Sequence, residues 1–150
     1  MRGALAALVG GLALIAAACG GGDRLSRAEF TSQANAICGK YEKQLNAVAV
    51  PTTLEEVPES VDQALAILDK EVDEFSDLKP PEALQEDFDE LIDQSNKTRA
   101  AAEDLAEAAK ANDQDAVQQA LDEGNAATRS ADRIAGRLGL ESCKGSEARG

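Results

Sequence analysis

Between residues 26 and 143 the apolar side chains of this chain recur about every 3.6 residues, and no stretch alternates with a period of two. A stripe with that period is buried only when the segment carrying it is an α-helix laid against other helices. No motif of 20–50 residues repeats, so a solenoid is not indicated. The run is broken at Pro51, at Lys79-Pro80-Pro81 and at Asn112-Asp113, leaving four segments.

Each segment carries its own start and stop signals. Ser26-Arg27-Ala28-Glu29 reads as a capping box opening the first helix, whose stripe is Phe30, Ala34, Ile37, Cys38, Tyr41, Leu45 and Val48. Thr53-Leu54-Glu55-Glu56 reads as a second box, with Pro58 as the alternative first position of the second helix. The second stripe is Val57, Val61, Ala64, Leu65, Leu68, Val72, Phe75 and Leu78, and the double proline ends it. The third helix opens at Pro81 or Glu82 and runs to about Ala111, with Leu84, Phe88, Leu91, Ile92, Ser95, Ala102, Leu105 and Ala109 inward. Asp113 caps the fourth, whose inner face is Val117, Ala120, Leu121, Gly124, Ala127, Ala131, Ile134, Ala135 and Leu138. Gly139 stands where a left-handed helix stop is expected, with Leu140 as its apolar partner.

Short turns make neighbouring helices antiparallel, so the expected fold is all-α, an up-down-up-down four-helix bundle over residues 26–143 with a disordered tail at 144–150. With no Trp, one Tyr and three Phe, its core must be built mainly of Leu, Ile, Val and Ala. The small residues facing inward on helices three and four allow their axes to approach to about 8 Å. Close packing is the expectation there; a pocket between those two helices is the alternative.

The amino terminus reads as an address. Arg2 provides a positive charge, and Ala4 to Ala18 forms an apolar run shorter than the roughly twenty residues a membrane span needs. Ala16-Ala17-Ala18-Cys19 resembles the lipobox of bacterial lipoproteins. The resemblance implies a signal peptide at residues 1–18, a diacylglycerol thioether with fatty (palmitate-type) chains on Cys19, and a lipidated flexible tether at 19–25. An ordinary secretory signal cut after Ala18, or an uncleaved anchor, are the alternatives. Each places the folded part outside the cytoplasm, and the lipobox reading puts it on the extracytoplasmic face of the cell membrane. Two or three acyl chains suffice for stable anchoring.

Charge agrees with a covalent anchor. The chain has 28 acidic against 15 basic residues, a formal charge of −13. Loss of residues 1–18 removes one base and no acid. Such a surface repels nucleic acid and anionic headgroups alike.

Cys38 lies on the inner face of helix one and Cys143 just beyond helix four. In an oxidising compartment the pair is expected to form a disulfide. Two free thiols, or a dimer bridged through Cys143, are the alternatives. Around these cysteines, Ala36-Ile37-Cys38 and Gly139-Leu140-Glu141-Ser142-Cys143 resemble motifs of a loose set of uncharacterised small helical lipoproteins and secreted proteins with a two-cysteine framework. That resemblance implies no activity.

The chain has no His, which excludes Ser-His-Asp and Cys-His nucleophiles and imidazole metal sites. Asn112-Asp113-Gln114-Asp115 lacks the glycine and terminal Glu of a calcium loop and reads as a helix cap. Asp87, Asp89, Glu90 and Asp93 read as a solvated face, with weak chelation as the alternative. Arg129, Arg133 and Arg137 form an i, i+4, i+8 row on helix four. They are candidates for contact with lipid headgroups or an anionic partner, against the plainer role of complementing the helix terminus and nearby acids. The expectation is therefore a non-enzymatic envelope lipoprotein without cofactor, metal site or nucleic-acid partner. It would be tethered to the bilayer through Cys19 and act as an interaction or structural accessory module toward an envelope protein or wall polymer. The alternative is a small-ligand or metal-binding lipoprotein.

Overall fold

The computed structural model describes residues 24–145, and among these the chain is a disulfide-bonded helical bundle with no strand. Four α-helices follow in order: α1 (Arg27–Leu45), α2 (Val57–Ser76), α3 (Gln85–Lys110) and α4 (Gln114–Leu138). Single 3₁₀ turns occupy Leu54–Glu56, Glu82–Leu84 and Glu141–Cys143. The expected signal peptide, Cys19 and the tail from residue 146 onward lie outside the described residues. No described helix is long and apolar enough to cross a membrane.

The helix ends follow local chemistry. The first capping box is complete: Glu29 N donates to Ser26 Oγ at 3.3 Å, and Ser26 N donates to Glu29 Oε2 at 2.9 Å. The box at Thr53 is not formed. Thr53 makes no side-chain cap, and Glu56 instead accepts from Thr52 N at 2.7 Å and Thr52 Oγ1 at 3.0 Å. The α-helix starts at Val57, four residues after Thr53, with Pro58 in its first turn, where a missing N–H leaves no donor unpaired. Helix α1 stops at Leu45, before Val48, because the last amides tighten into i→i−3 bonds: Ala47 N to Gln44 O at 3.0 Å and Val48 N to Leu45 O at 3.1 Å.

Asn112, with φ 53°, reverses the chain between α3 and α4, and Asp113 then accepts from Ala116 N at 3.0 Å to cap α4. At the other end Gly139 takes φ 78°, and Leu140 N donates back to Ala135 O at 2.8 Å. Leu140 is thereby carried into the interior, fully buried.

All three Phe rings meet at one pole. Phe30 and Phe88 stand edge to face at 5.5 Å, and Phe75 stacks on Phe88 at 6.1 Å. Around them lie Ala34 and Cys38 of α1, Leu84 and Leu91, and Ile134, Ala135, Leu138 and Leu140. Farther along α3 and α4 the buried residues are Ala101, Ala106, Ala108 and Ala109 against Ala120 and Ala127. The expected close packing of these two helices is present. A Cβ placed on Gly124 would sit 3.5 Å from Ala101 Cβ, ordinary contact rather than open space. Leu121, expected inside, is 42% exposed.

Candidate functional site

A cavity of about 350 Å³ opens between these two regions. Its cause lies in helix length. Helix α1 has 19 residues, about 28 Å, against 26 and 25 for α3 and α4, about 39 and 38 Å. Where α1 runs out, at Leu45 and Asn46, its neighbours continue without it. The inward residues they offer there are short: Ser95 and Thr98 of α3, Thr128 and Ala131 of α4.

The floor is apolar, made by Leu68, Val72 and Phe75 of α2 and Leu91 and Ile92 of α3. One wall is the Cys38–Cys143 disulfide, whose Cα atoms are 5.0 Å apart across 105 residues of sequence. The expected pairing is therefore present within the chain. Asn35 of α1 steadies the disulfide segment by accepting from Ser142 N at 2.8 Å and donating to Gly139 O at 3.4 Å. The Ser95 and Thr98 hydroxyls turn back to Leu91 O at 3.0 Å and Gln94 O at 3.1 Å, so their hydrogen bonds are spent within α3.

Five charged side chains among the described residues line the cavity: Glu42, Glu71, Arg99, Asp132 and Lys144. Arg99 is matched outside it by Asp69, with Nε 2.8 Å from Oδ1, and by Glu103, with Nη2 3.2 Å from Oε1. The Nε contact is an ion pair without hydrogen-bond alignment. Lys144 meets Glu141 at 2.5 Å. Asp132 accepts from Gly145 N at 2.8 Å, and Glu42 is also engaged. Glu71 differs. No described residue gives it a hydrogen bond or counter-ion, and half-burial alone pushes its carboxyl up to about 7.

Sequence reasoning passed over Glu71, although its position was informative. It lies three residues after Leu68 and four before Phe75, inside the apolar stripe of α2. An acid at a stripe position is the signal.

The arginine row does not act as a unit in the structure. Arg137 turns to α3, where Nη2 is 2.7 Å from Asp87 Oδ1 and 2.8 Å from Glu90 Oε2. Those carboxylates hold its guanidinium more firmly charged. Arg133 donates to Ser130 Oγ at 2.9 Å, and Arg129 is exposed. Arg24 donates to Pro80 O at 2.8 Å and Gln85 Oε1 at 2.6 Å, tying the chain ahead of α1 to the turn before α3. On the opposite flank Lys40 and Tyr41 both engage Glu74; Tyr41 Oη donates to Oε1 at 2.7 Å, and the two bonds hold the Glu74 carboxyl below its ordinary range. No group of three or more metal-ligating side chains occurs among the described residues.

No family model matches the chain, and no curated protein or solved structure matches it either.

Proposed function

We propose that this chain is a lipid-anchored, non-enzymatic module of the cell envelope whose working part is a small-ligand pocket beside the Cys38–Cys143 disulfide. The observation that carries the reading is the cavity itself: about 350 Å³, floored by aliphatic and aromatic side chains, with a few polar groups at its edge. That combination is the usual form of a small-molecule site. The lipobox-like Ala16-Ala17-Ala18-Cys19 supports anchoring at the extracytoplasmic face, and the disulfide accords with an oxidising compartment. The side-chain pairings set α2 beside α1, α3 beside α2 and α4 beside α3, the neighbour order expected of an up-down-up-down bundle. Glu74 of α2 meets Lys40 and Tyr41 of α1, Asp69 of α2 meets Arg99 of α3, and Asp87 of α3 meets Arg137 of α4.

Two measurements test the proposal. Titration of isotope-labelled protein with n-octanol is expected to shift the methyl resonances of Leu68, Val72, Leu91 and Ile92 saturably while those of Val117 and Leu121 stay in place. Uniform or absent shifts would overturn the pocket reading. The intact mass of the native protein is expected to show a diacylglyceryl group on Cys19, and an unmodified amino terminus would overturn the anchor.

A further inference from the structure

We infer that the pocket selects a small amphiphilic cation, an alkylammonium whose chain lies on the Leu68–Phe75–Leu91 floor and whose ammonium group meets the Glu71 carboxylate. The inference rests on the ligand-binding reading above and gives its ligand a chemical class.

Charge and geometry carry it. Among the described residues, Glu42 of α1, Glu71 of α2, Arg99 of α3, Asp132 of α4 and Lys144 beyond α4 are the charged groups that face the cavity. Both cations are matched by acids outside it, Asp69, Glu103 and Glu141. Asp132 is tied by the Gly145 amide, and Glu42 is engaged. Glu71 remains without a partner among the described residues, at the edge of an apolar floor that strips water from it. A desolvated, unpaired carboxylate is unfavourable until a counter-ion or donor reaches it. A neutral amphiphile would satisfy the floor but leave Glu71 as it was. An anionic one would add repulsion. An ammonium group satisfies both halves of the site and adds a charge-assisted hydrogen bond.

Size limits the choice. At about 30 Å³ per water-sized volume the cavity holds on the order of ten heavy atoms, close to an eight-carbon chain with its nitrogen. Binding needs Glu71 ionised, and its carboxyl titrates near 7, so affinity for the cation should rise as pH rises through that value.

Calorimetric titration of the full chain with n-octylammonium, n-octanol and octanoate tests the inference. Octylammonium is expected to bind one to one, about tenfold or more tighter than octanol at pH 8, with octanoate weakest. Between pH 5.5 and 8 its affinity should rise several-fold while that of octanol stays level. Glu71→Gln should bring octylammonium down to the level of octanol and leave octanol binding intact, which also reports that the variant is folded. Glu86→Gln, which removes the same charge from an exposed position outside the cavity, should keep the preference. Equal binding of octylammonium and octanol to the wild-type chain would overturn the cation selectivity and leave the pocket reading standing. Octylammonium binding that persists unchanged in Glu71→Gln would assign the attraction to the chain's overall negative charge and overturn it too. Failure of all three ligands to bind would overturn the pocket reading and this inference together.

Discussion

The two ends of the α3–α4 pair are built on opposite principles. At one end Phe88 and Leu91 of α3 face Ile134 and Leu138 of α4, with Phe30 and Cys38 of α1 and Phe75 of α2 completing the cluster. At the other end the same two helices meet through Ala101, Ala106, Ala108, Ala109, Ala120 and Ala127. Large side chains need elements from several directions to cover them, so the aromatic pole draws in all four helices and the Glu141–Cys143 turn. Small side chains let two backbones approach closely. The cavity falls at the change from one principle to the other. The lesson is that a bundle can form a pocket without a strained or missing residue, by ending one helix where its neighbours change side-chain size.

The largest expected effect concentrates at the aromatic pole. Replacing Cys38 and Cys143 by Ser removes a link across 105 residues, with an expected loss of up to about 4.7 kcal/mol on the chain-entropy model. Urea unfolding with and without reductant checks this; a variant as stable as the oxidised parent would mean the pole is held by packing alone. Phe88→Ala should cost about 3 to 4 kcal/mol, since Phe88 touches both other Phe rings. A loss under about 1 kcal/mol in the same assay would show that the aromatic cluster is not the centre of the fold.

The boundary between the poles should respond to pH. Glu71 has a folded-state pKa near 7 against 4.5 for the ordinary value, so the native chain holds its proton more tightly than the unfolded chain does. Its destabilising effect is absent below about 4.5, grows from there to about 7, and is complete above that. Glu71→Gln should therefore raise stability at pH 8 by about 1 to 2 kcal/mol, allowing for partial exposure, and by nothing at pH 4. Urea midpoints at the two pH values decide it, and an equal gain at both would mean that charge burial is not the cause.

The smallest effect belongs to the alanine pole. Gly124→Ala should stabilise by about 0.5 to 1 kcal/mol, because the new Cβ meets Ala101 Cβ at ordinary contact and the helix gains propensity. Thermal unfolding measures it. A loss instead of a gain would mean that the helices there are packed too tightly for one more methyl group.

Most of the helical framework was legible in the residues themselves, because caps and breakers act over a few positions. Ser26 with Glu29, Asp113, and Gly139 with Leu140 each do in the structure what their local chemistry requires. Local chemistry decides less where the choice depends on distant neighbours. Glu56 bonds to Thr52 rather than closing a box at Thr53. Ala101, Ala106 and Ala108 are buried, whereas Ala102 and Leu105 of the expected inward stripe of α3 are only half-buried. Alanine carries almost no orienting signal, so which of its faces points inward depends on the partner helix. The cavity was less visible still. The residues point to an Ala/Gly gap between α3 and α4 as the alternative place for a pocket, yet the opening lies beside the disulfide, where α1 ends.

By itself the sequence determined the helical period, the four segments, the caps at Ser26, Asp113 and Gly139, and the acidity, all of which act within one turn of helix or on the chain as a whole. Only the tertiary structure decided that Cys38 and Cys143 meet, that Arg137 is held by Asp87 and Glu90, and that Glu71 borders an apolar floor without a partner among the described residues. The physical reason is range. Hydrogen-bonded caps and side-chain periodicity are settled among near neighbours, whereas pairing, desolvation and empty space depend on residues brought together from far apart along the chain.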